Sequence, residues 1–204
     1  EPNAMINLKR DGLNEPNVKA TVQELFEDLE AESQNHRGKL EFDFLRINDF
    51  LHPFFSAGFY YKTFMWPKSF WEKVYEPIIR AAAGLGSLSP KADPDVYDKG
   101  FLHCDVLVIG SGPAGLISAY TAAKSGAKVI LAEEDFIFGG RLNSDHNEID
   151  GMPSFEWVTR VIQELESYEN VRLLKRTSVY GVFDHGIFGA LERKRDYLSS
   201  NDMK

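Results

Sequence analysis

The sequence predicts an α/β fold, a partial Rossmann-like domain whose parallel sheet carries a β-hairpin insertion, preceded by a small irregular α+β segment. Three observations predict it. Val106 to Gly110 is an apolar run ending in Gly110-Ser111-Gly112-Pro113-Ala114-Gly115, which opens an amphipathic stretch to about Ser125. Lys128 to Ala132 is a second strand, closed by Glu133. A helix from Met152 to Tyr168 then leads to a third strand, Val171 to Leu174.

The glycine turn has its own chemistry. In G-x-G-x-x-G, Gly110 permits the tight strand-to-helix turn, Gly112 lets a pyrophosphate approach the backbone, and Gly115 lets helix and strand pack closely. The helix N-terminus then offers N–H groups to an anion. Glu133 stands about 20 residues past the fingerprint, where a carboxylate accepts hydrogen bonds from an adenosine ribose. Strand, turn, helix, strand and carboxylate together predict dinucleotide binding of the FAD/NAD(P) type. The glycines do not separate NAD from FAD, because both place an adenosine diphosphate on the same turn.

Before this domain the pattern is weaker. Ala4 to Lys9 and Val18 to Gln23 read as short strands around Asp11-Gly12, Leu25 to Glu32 as a short helix, and Ser33 to Lys39 as a polar loop with His36 on its surface. Phe54 to Tyr75 is crowded with aromatic residues, which anchor cores or subunit contacts more often than they stack on bases or a flavin. Pro67 starts a helix through Phe70, Val74 and Ile78, interrupted or kinked at Pro77. Gly84 to Gly100 is a linker. The domains expected are therefore 1–100, an aromatic-rich segment and linker, and 101–204, a dinucleotide-binding domain incomplete at its C-terminus.

Within the second domain, Gly139-Gly140 allows backbone to lie close to a nucleotide, and Arg141 adds charge to its phosphates; the alternative is a flexible turn with a surface arginine. Phe155, Val158, Ile162 and Leu165 share one helix face, with Ser154 as its cap. The end of the third strand, Thr177 to Val179, is expected beside the first strand's crevice. Val179 to Leu191 forms a hairpin turning at Asp184-His185-Gly186, with His185 a turn residue.

Composition excludes several classes. A net charge of −8 leaves no basic surface for nucleic acid or an anionic membrane. The single cysteine, Cys104, excludes a disulfide framework and a multi-cysteine metal site, and is expected to pack as a small hydrophobe. No apolar run is long enough to span a membrane and no secretory signal pattern opens the chain, so a cytoplasmic location is expected. The chain stops soon after its third strand, and reads as a piece of a longer polypeptide.

The stretches EPNVKATVQEL, AESQNHRGKLEFD, AGFYYKTFMWPKSFWEKVYEPIIRAAAGLG, HCDVLVIGSGPAG, EEDFIFGGRL and TSVYGVFDHGIFGALER resemble the alpha subunit of heterotetrameric sarcosine oxidase, from Glu1 to about Leu198. AGFYYKTFMWP is the specific part. The resemblance implies an oxidoreductase subunit of a bacterial cytoplasmic complex with beta, gamma and delta subunits, which oxidises sarcosine to glycine through flavins to oxygen and passes the one-carbon unit to tetrahydrofolate. It implies NAD in this chain, with FAD and a covalent FMN mainly on the beta subunit.

By the same resemblance, Gly110, Gly112, Ala114 and Gly115 hold the phosphates, and Glu133, Glu134 and Asp135 surround the adenosine ribose. Arg141 matches a position on the far side of the nucleotide and Val179 one at the adenine edge. The carboxylates of Glu133 and Glu134 would repel a 2′-phosphate, which favours NAD over NADP. FAD in this chain is the alternative cofactor. The resemblance assigns no catalytic residue and no metal ligand here, and the folate-binding domain lies outside the chain. Two other functions remain open: the alpha subunit of a proline- or opine-type flavin-linked dehydrogenase, or an assembly scaffold in which the nucleotide is structural.

Overall fold

A computed structural model describes residues 5–10, 13–34, 36, 38–39, 41–51, 53, 58, 64, 66–83, 86–89, 91–92 and 96–194. The chain divides into two compact units, Glu1–Thr21 with Glu27–Asp95, and Val22–Phe26 with Val96–Lys204.

In the first unit β1 (Met5–Arg10) pairs antiparallel with β2 (Leu13–Lys19) on one side and β3 (Glu30–Ser33) on the other. Three expectations are corrected here. The second strand begins earlier than Val18, and Ala20–Val22 closes it as a 3-10 turn. The predicted helix over Leu25 to Glu32 is instead a turn followed by β3. Its charged residues alternate across an exposed ribbon, and Glu32 forms an ion pair with Lys9 of β1; Asp28, at φ 63°, breaks any helix. His36, expected on the surface, is half-buried.

A short hairpin, β4 (Gly38–Lys39) and β5 (Phe42–Asp43), precedes α1 (Ile47–Leu51). Most of the aromatic stretch before Trp66 lies outside the described residues. Pro67 caps a 3-10 turn, Lys68–Phe70, and a single π turn, Trp71–Tyr75, leads into α2 (Glu76–Ala82). Pro77 is the second residue of α2, directly after the π turn, so the helical stretch that follows Pro67 changes from π to α geometry at this proline.

The second unit carries the predicted α/β pattern. Its parallel sheet has the order β10–β7–β6, built from β6 (Val106–Ile109), β7 (Val129–Ala132) and β10 (Val171–Leu174). The third strand therefore pairs with the second, on the side away from the first. A crossover through α4 (Ser154–Glu166) lays it on the outer side of β7, just as α3 (Pro113–Lys124) carries the chain from β6 to β7. Between β7 and α4 lies a small hairpin, β8 (Glu148–Ile149) and β9 (Met152–Pro153). After β10 the chain forms the predicted hairpin, β11 (Thr177–Phe183) and β12 (Ile187–Glu192), turning at Asp184–Gly186 with exposed His185 at φ 63°.

Alternation along the strands decides which face the helices cover. Val106 and Val108, Val129 and Leu131, and Val171 and Leu173 point to the side on which Leu116, Ala119 and Ala123 of α3 and Val158, Val161 and Leu165 of α4 pack. Leu116, Leu131 and Leu165 are fully buried there. Each contributes about 1.5–3 kcal/mol through burial. Phe155, expected on this face, is exposed, and Trp157 takes its place in the core. Ser154 is the first helical residue rather than the cap; its hydroxyl donates toward the carbonyls of Leu142 and Asp145 at 3.0 and 2.9 Å.

Two devices fix the lower ends of the strands. The α3 helix ends in a Schellman motif, with Ala127 N–H donating to Ala122 O at 3.2 Å and Gly126 at φ 89°. The Asn170 amide then donates to Ala123 O and Ala127 O at 3.0 and 2.6 Å, while Asn170 O accepts from Val129 N–H at 2.8 Å. Cys104, before β6, is exposed rather than packed as a small hydrophobe. Among the described residues no helix is long and apolar enough to cross a membrane.

Candidate functional site

The three parallel strands end at one level, because Ile109 pairs with Ala132 and Ala132 with Leu174. In open α/β sheets the ligand crevice lies beyond such carboxyl ends. Gly110 N–H donates to Ala132 O at 2.8 Å as the last rung between the first two strands, and the chain then turns at Gly110 with φ 88°. Gly112 caps α3 in extended conformation and Pro113 follows at the first helical position. The first turn of α3 directs its unpaired N–H groups, among them those of Ala114 and Gly115, toward this end of the sheet.

The glycines occupy these positions for distinct reasons. A Cβ on Gly115 would lie 1.9 Å from the carbonyl oxygen of Gly110, so only glycine lets α3 pack against the end of β6. A Cβ on Gly112 would meet no protein atom within 4 Å, so the backbone there faces open space that a phosphate could approach.

Glu133 is 7% exposed, and its carboxylate is directed at the glycine turn. Its Oε2 accepts Ser111 N–H at 2.7 Å and the Ser111 hydroxyl at 2.5 Å; its Oε1 accepts Asp135 N–H at 3.1 Å. The backbone of Glu133 is also held, N–H to Leu174 O at 2.8 Å and O from Thr177 N–H at 2.7 Å. Ser111, with 0% exposure, accepts in turn from Gly139 N–H at 2.9 Å. One buried hydroxyl thus joins the glycine turn, the acidic strand end and the Gly139-Gly140 turn. Sequence reading passed over Ser111 as a spacer between two glycines; the available signal was a small hydroxyl residue inside the fingerprint with an acidic residue 22 positions on.

The remaining predicted residues are distributed around this centre. Glu134 is half-buried, and its carbonyl accepts from the Arg193 guanidinium at 3.0 Å. The Asp135 carboxylate accepts from Phe136 N–H at 2.7 Å. Burial pushes the Asp135 carboxyl above the ordinary aspartate value, with the Phe136 N–H bond opposing and the charge of Glu133 reinforcing it. Val179 lies half-buried in β11, two residues beyond the Thr177 N–H that bonds Glu133 O. Gly140 would bring a Cβ to 3.6 Å from Gly112 Cα, so the Gly-Gly turn does lie against the glycine fingerprint. Arg141 is exposed, in the 3-10 turn Gly140–Asn143.

The donor set fits an adenosine diphosphate group: a glycine cradle without Cβ obstruction at Gly112, a helix N-terminus, and a buried carboxylate at the next strand end. Gly110, Gly112, Ala114 and Gly115 would hold its phosphates and Glu133 its ribose. Bound at its flavin or nicotinamide end, such a group supplies hydride transfer. A cavity of about 290 Å³ beside β10, lined by residues including Phe138, Leu173 and Lys175, has much of its charge paired internally: Arg176 with Glu24, and Lys194 with Glu192. Among the described residues no cluster of three or more histidine, cysteine, aspartate or glutamate side chains could hold a metal ion.

Fold and site together define an α/β domain with a glycine turn and a buried carboxylate at the ends of its parallel strands, and the family model "FAD dependent oxidoreductase" matches residues 105–187. The chain is similar to one segment of proteins named sarcosine oxidase subunit alpha. It is 52% identical to that subunit from Rhizobium meliloti (strain 1021) over 97% of its own length and 20% of the relative's. It is 42% identical to the same-named subunit of Corynebacterium sp. (strain U-96) over 57% of its length and 12% of that protein. The chain thus spans a fifth or less of these relatives. Among solved structures, L-proline dehydrogenase from P. horikoshii aligns with a TM-score of 0.41 and 27% identity, covering 48% of this chain and 21% of that one.

Proposed function

We propose that this chain is the NAD-binding part of a sarcosine oxidase alpha subunit. Residues 101–204 hold the dinucleotide and residues 1–100 lead into it. The observation that carries the nucleotide reading is the buried Glu133 carboxylate, hydrogen-bonded to the middle of the glycine fingerprint at the end of the parallel sheet. Glu133 takes the ribose, with Glu134 and Asp135 around it; Val179 borders the adenine, and Arg141 approaches from the far side. The similarity to subunits named sarcosine oxidase supports the rest. The complex, with beta, gamma and delta subunits in the cytoplasm, oxidatively demethylates sarcosine to glycine, using FAD and FMN held mainly by the partner subunit, oxygen and tetrahydrofolate. The residues that oxidise the amine belong to another subunit, and no catalytic residue is assigned in this chain.

FAD in this chain is the second reading, favoured by the description of the family model that matches residues 105–187. One experiment separates the two. The alpha subunit is purified without partners, its ultraviolet and visible absorption recorded, and the nucleotide released by acid identified. Colourless protein releasing NAD supports the first reading. Yellow protein releasing FAD overturns it in favour of the second, and protein releasing neither overturns both.

A further inference from the structure

Serine inside a glycine turn is a small residue with one donor and two acceptor directions, and a buried hydroxyl must satisfy them within the protein. Ser111 does so by donating to Glu133 Oε2 at 2.5 Å and accepting from Gly139 N–H at 2.9 Å. An ionised carboxylate has about four acceptor directions. Ser111 fills both on Oε2, through its N–H and its hydroxyl, and Asp135 N–H fills one on Oε1 at 3.1 Å. The remaining direction belongs to Oε1.

We infer that Ser111 is a positioning residue for nucleotide recognition: its hydroxyl turns the Glu133 carboxylate so that Oε1 faces one ribose hydroxyl, and holds Gly139 against the glycine turn. The inference rests on the assignment of Glu133 to an adenosine ribose, and applies equally to NAD and FAD because both contain that ribose. A carboxylate held from one side cannot rotate to bond elsewhere, so less freedom is lost when the ribose hydroxyl arrives. Without the Ser111 hydroxyl, Oε2 loses its short charge-assisted bond and Glu133 competes for the ribose from several orientations.

The test uses the whole protein, freed of bound nucleotide, with ADP and 2′,3′-dideoxy-ADP as probes in titration calorimetry. Wild-type protein is expected to bind ADP roughly ten- to a hundredfold more tightly than the dideoxy analogue, the range for a hydrogen bond to a charged group. Ser111→Ala is expected to bring that ratio to about two- or threefold. Ser111→Cys, which keeps the side chain's shape at slightly larger size and weakens the hydrogen bond, is expected to fall between, and serves if the alanine variant does not fold. A looser structure alone would weaken both probes equally. If wild type discriminates and both variants keep its ratio, the role of Ser111 is overturned while the ribose assignment stands. If wild type does not discriminate, the ribose assignment of Glu133 fails, and the Ser111 inference with it.

Discussion

Gly115 stands so close to Gly110 that a Cβ on the former would lie 1.9 Å from the carbonyl oxygen of the latter. The contact sets how near α3 sits to the end of β6, and so where the helix N-terminus lies relative to the crevice. Gly115→Ala is therefore expected to destabilise the protein by about 3 kcal/mol, the upper end for overpacking a rigid site. Gly126→Ala makes the contrast. Gly126 has φ 89°, but a Cβ there meets nothing within 4 Å, so only backbone strain of about 1 kcal/mol is expected. Urea unfolding of the two variants checks both, and equal losses would contradict the packing argument.

Asn170→Ala should act at the opposite end of the sheet. It removes two donors from Ala123 O and Ala127 O and unties the end of α3 from the start of β7. A loss of about 2 kcal/mol is expected, one for each bond. Nucleotide affinity, measured below the unfolding transition, should stay within about twofold of wild type, since the crevice is at the other end of the strands.

Asp135 gives a pH prediction with a definite sign. Its folded-state carboxyl is raised above the ordinary value of 3.8, chiefly by burial, so the folded protein holds this proton at pH values where the unfolded chain has released it. The stability this group contributes is present at low pH and is lost as pH rises from 3.8 through the folded value. Asp135→Asn keeps an oxygen for Phe136 N–H and removes the titration. The variant should gain stability relative to wild type as pH rises across that window, read from urea midpoints between about pH 3 and 7. A constant difference would show that Asp135 does not titrate differently in the two states.

Glu133→Ala should weaken dinucleotide binding by about 1.5–3 kcal/mol through the lost ribose bond. Wild-type protein should also prefer NAD to NADP, because a 2′-phosphate would meet the Glu133 carboxylate with Glu134 beside it. Titration with the two nucleotides decides this, and comparable affinities would place the ribose elsewhere.

Much of the second unit was legible because its signals are local. An apolar four-residue strand, a glycine turn whose spacing is set by backbone sterics, and a helix with period 3.6 each announce themselves within a dozen residues, as β6, α3, β7, α4 and the β11–β12 hairpin do. Where pattern and tertiary demand competed, the pattern lost. Glu30–Ser33 has the composition of a helix and became a strand because β1 offered it an edge. Phe155 fits the apolar face on spacing, yet Trp157 fills the core and anchors its indole N–H on Asp150 at 3.2 Å.

From the residues alone came the α/β class, the glycine turn and the acidic strand end beyond it, since chain stereochemistry and periodicity require only neighbours. Sheet order and the partners of Glu133 depended on contacts distant in sequence. Only the folded chain brings Ser111, Glu133 and Gly139 together, across separations of 22 and 28 residues, and only there does a serine between two glycines become the hydrogen-bonded centre of the site. The physical reason is burial: a hydroxyl excluded from water must find its donor and acceptor inside the protein, and which groups supply them is settled by packing rather than by spacing.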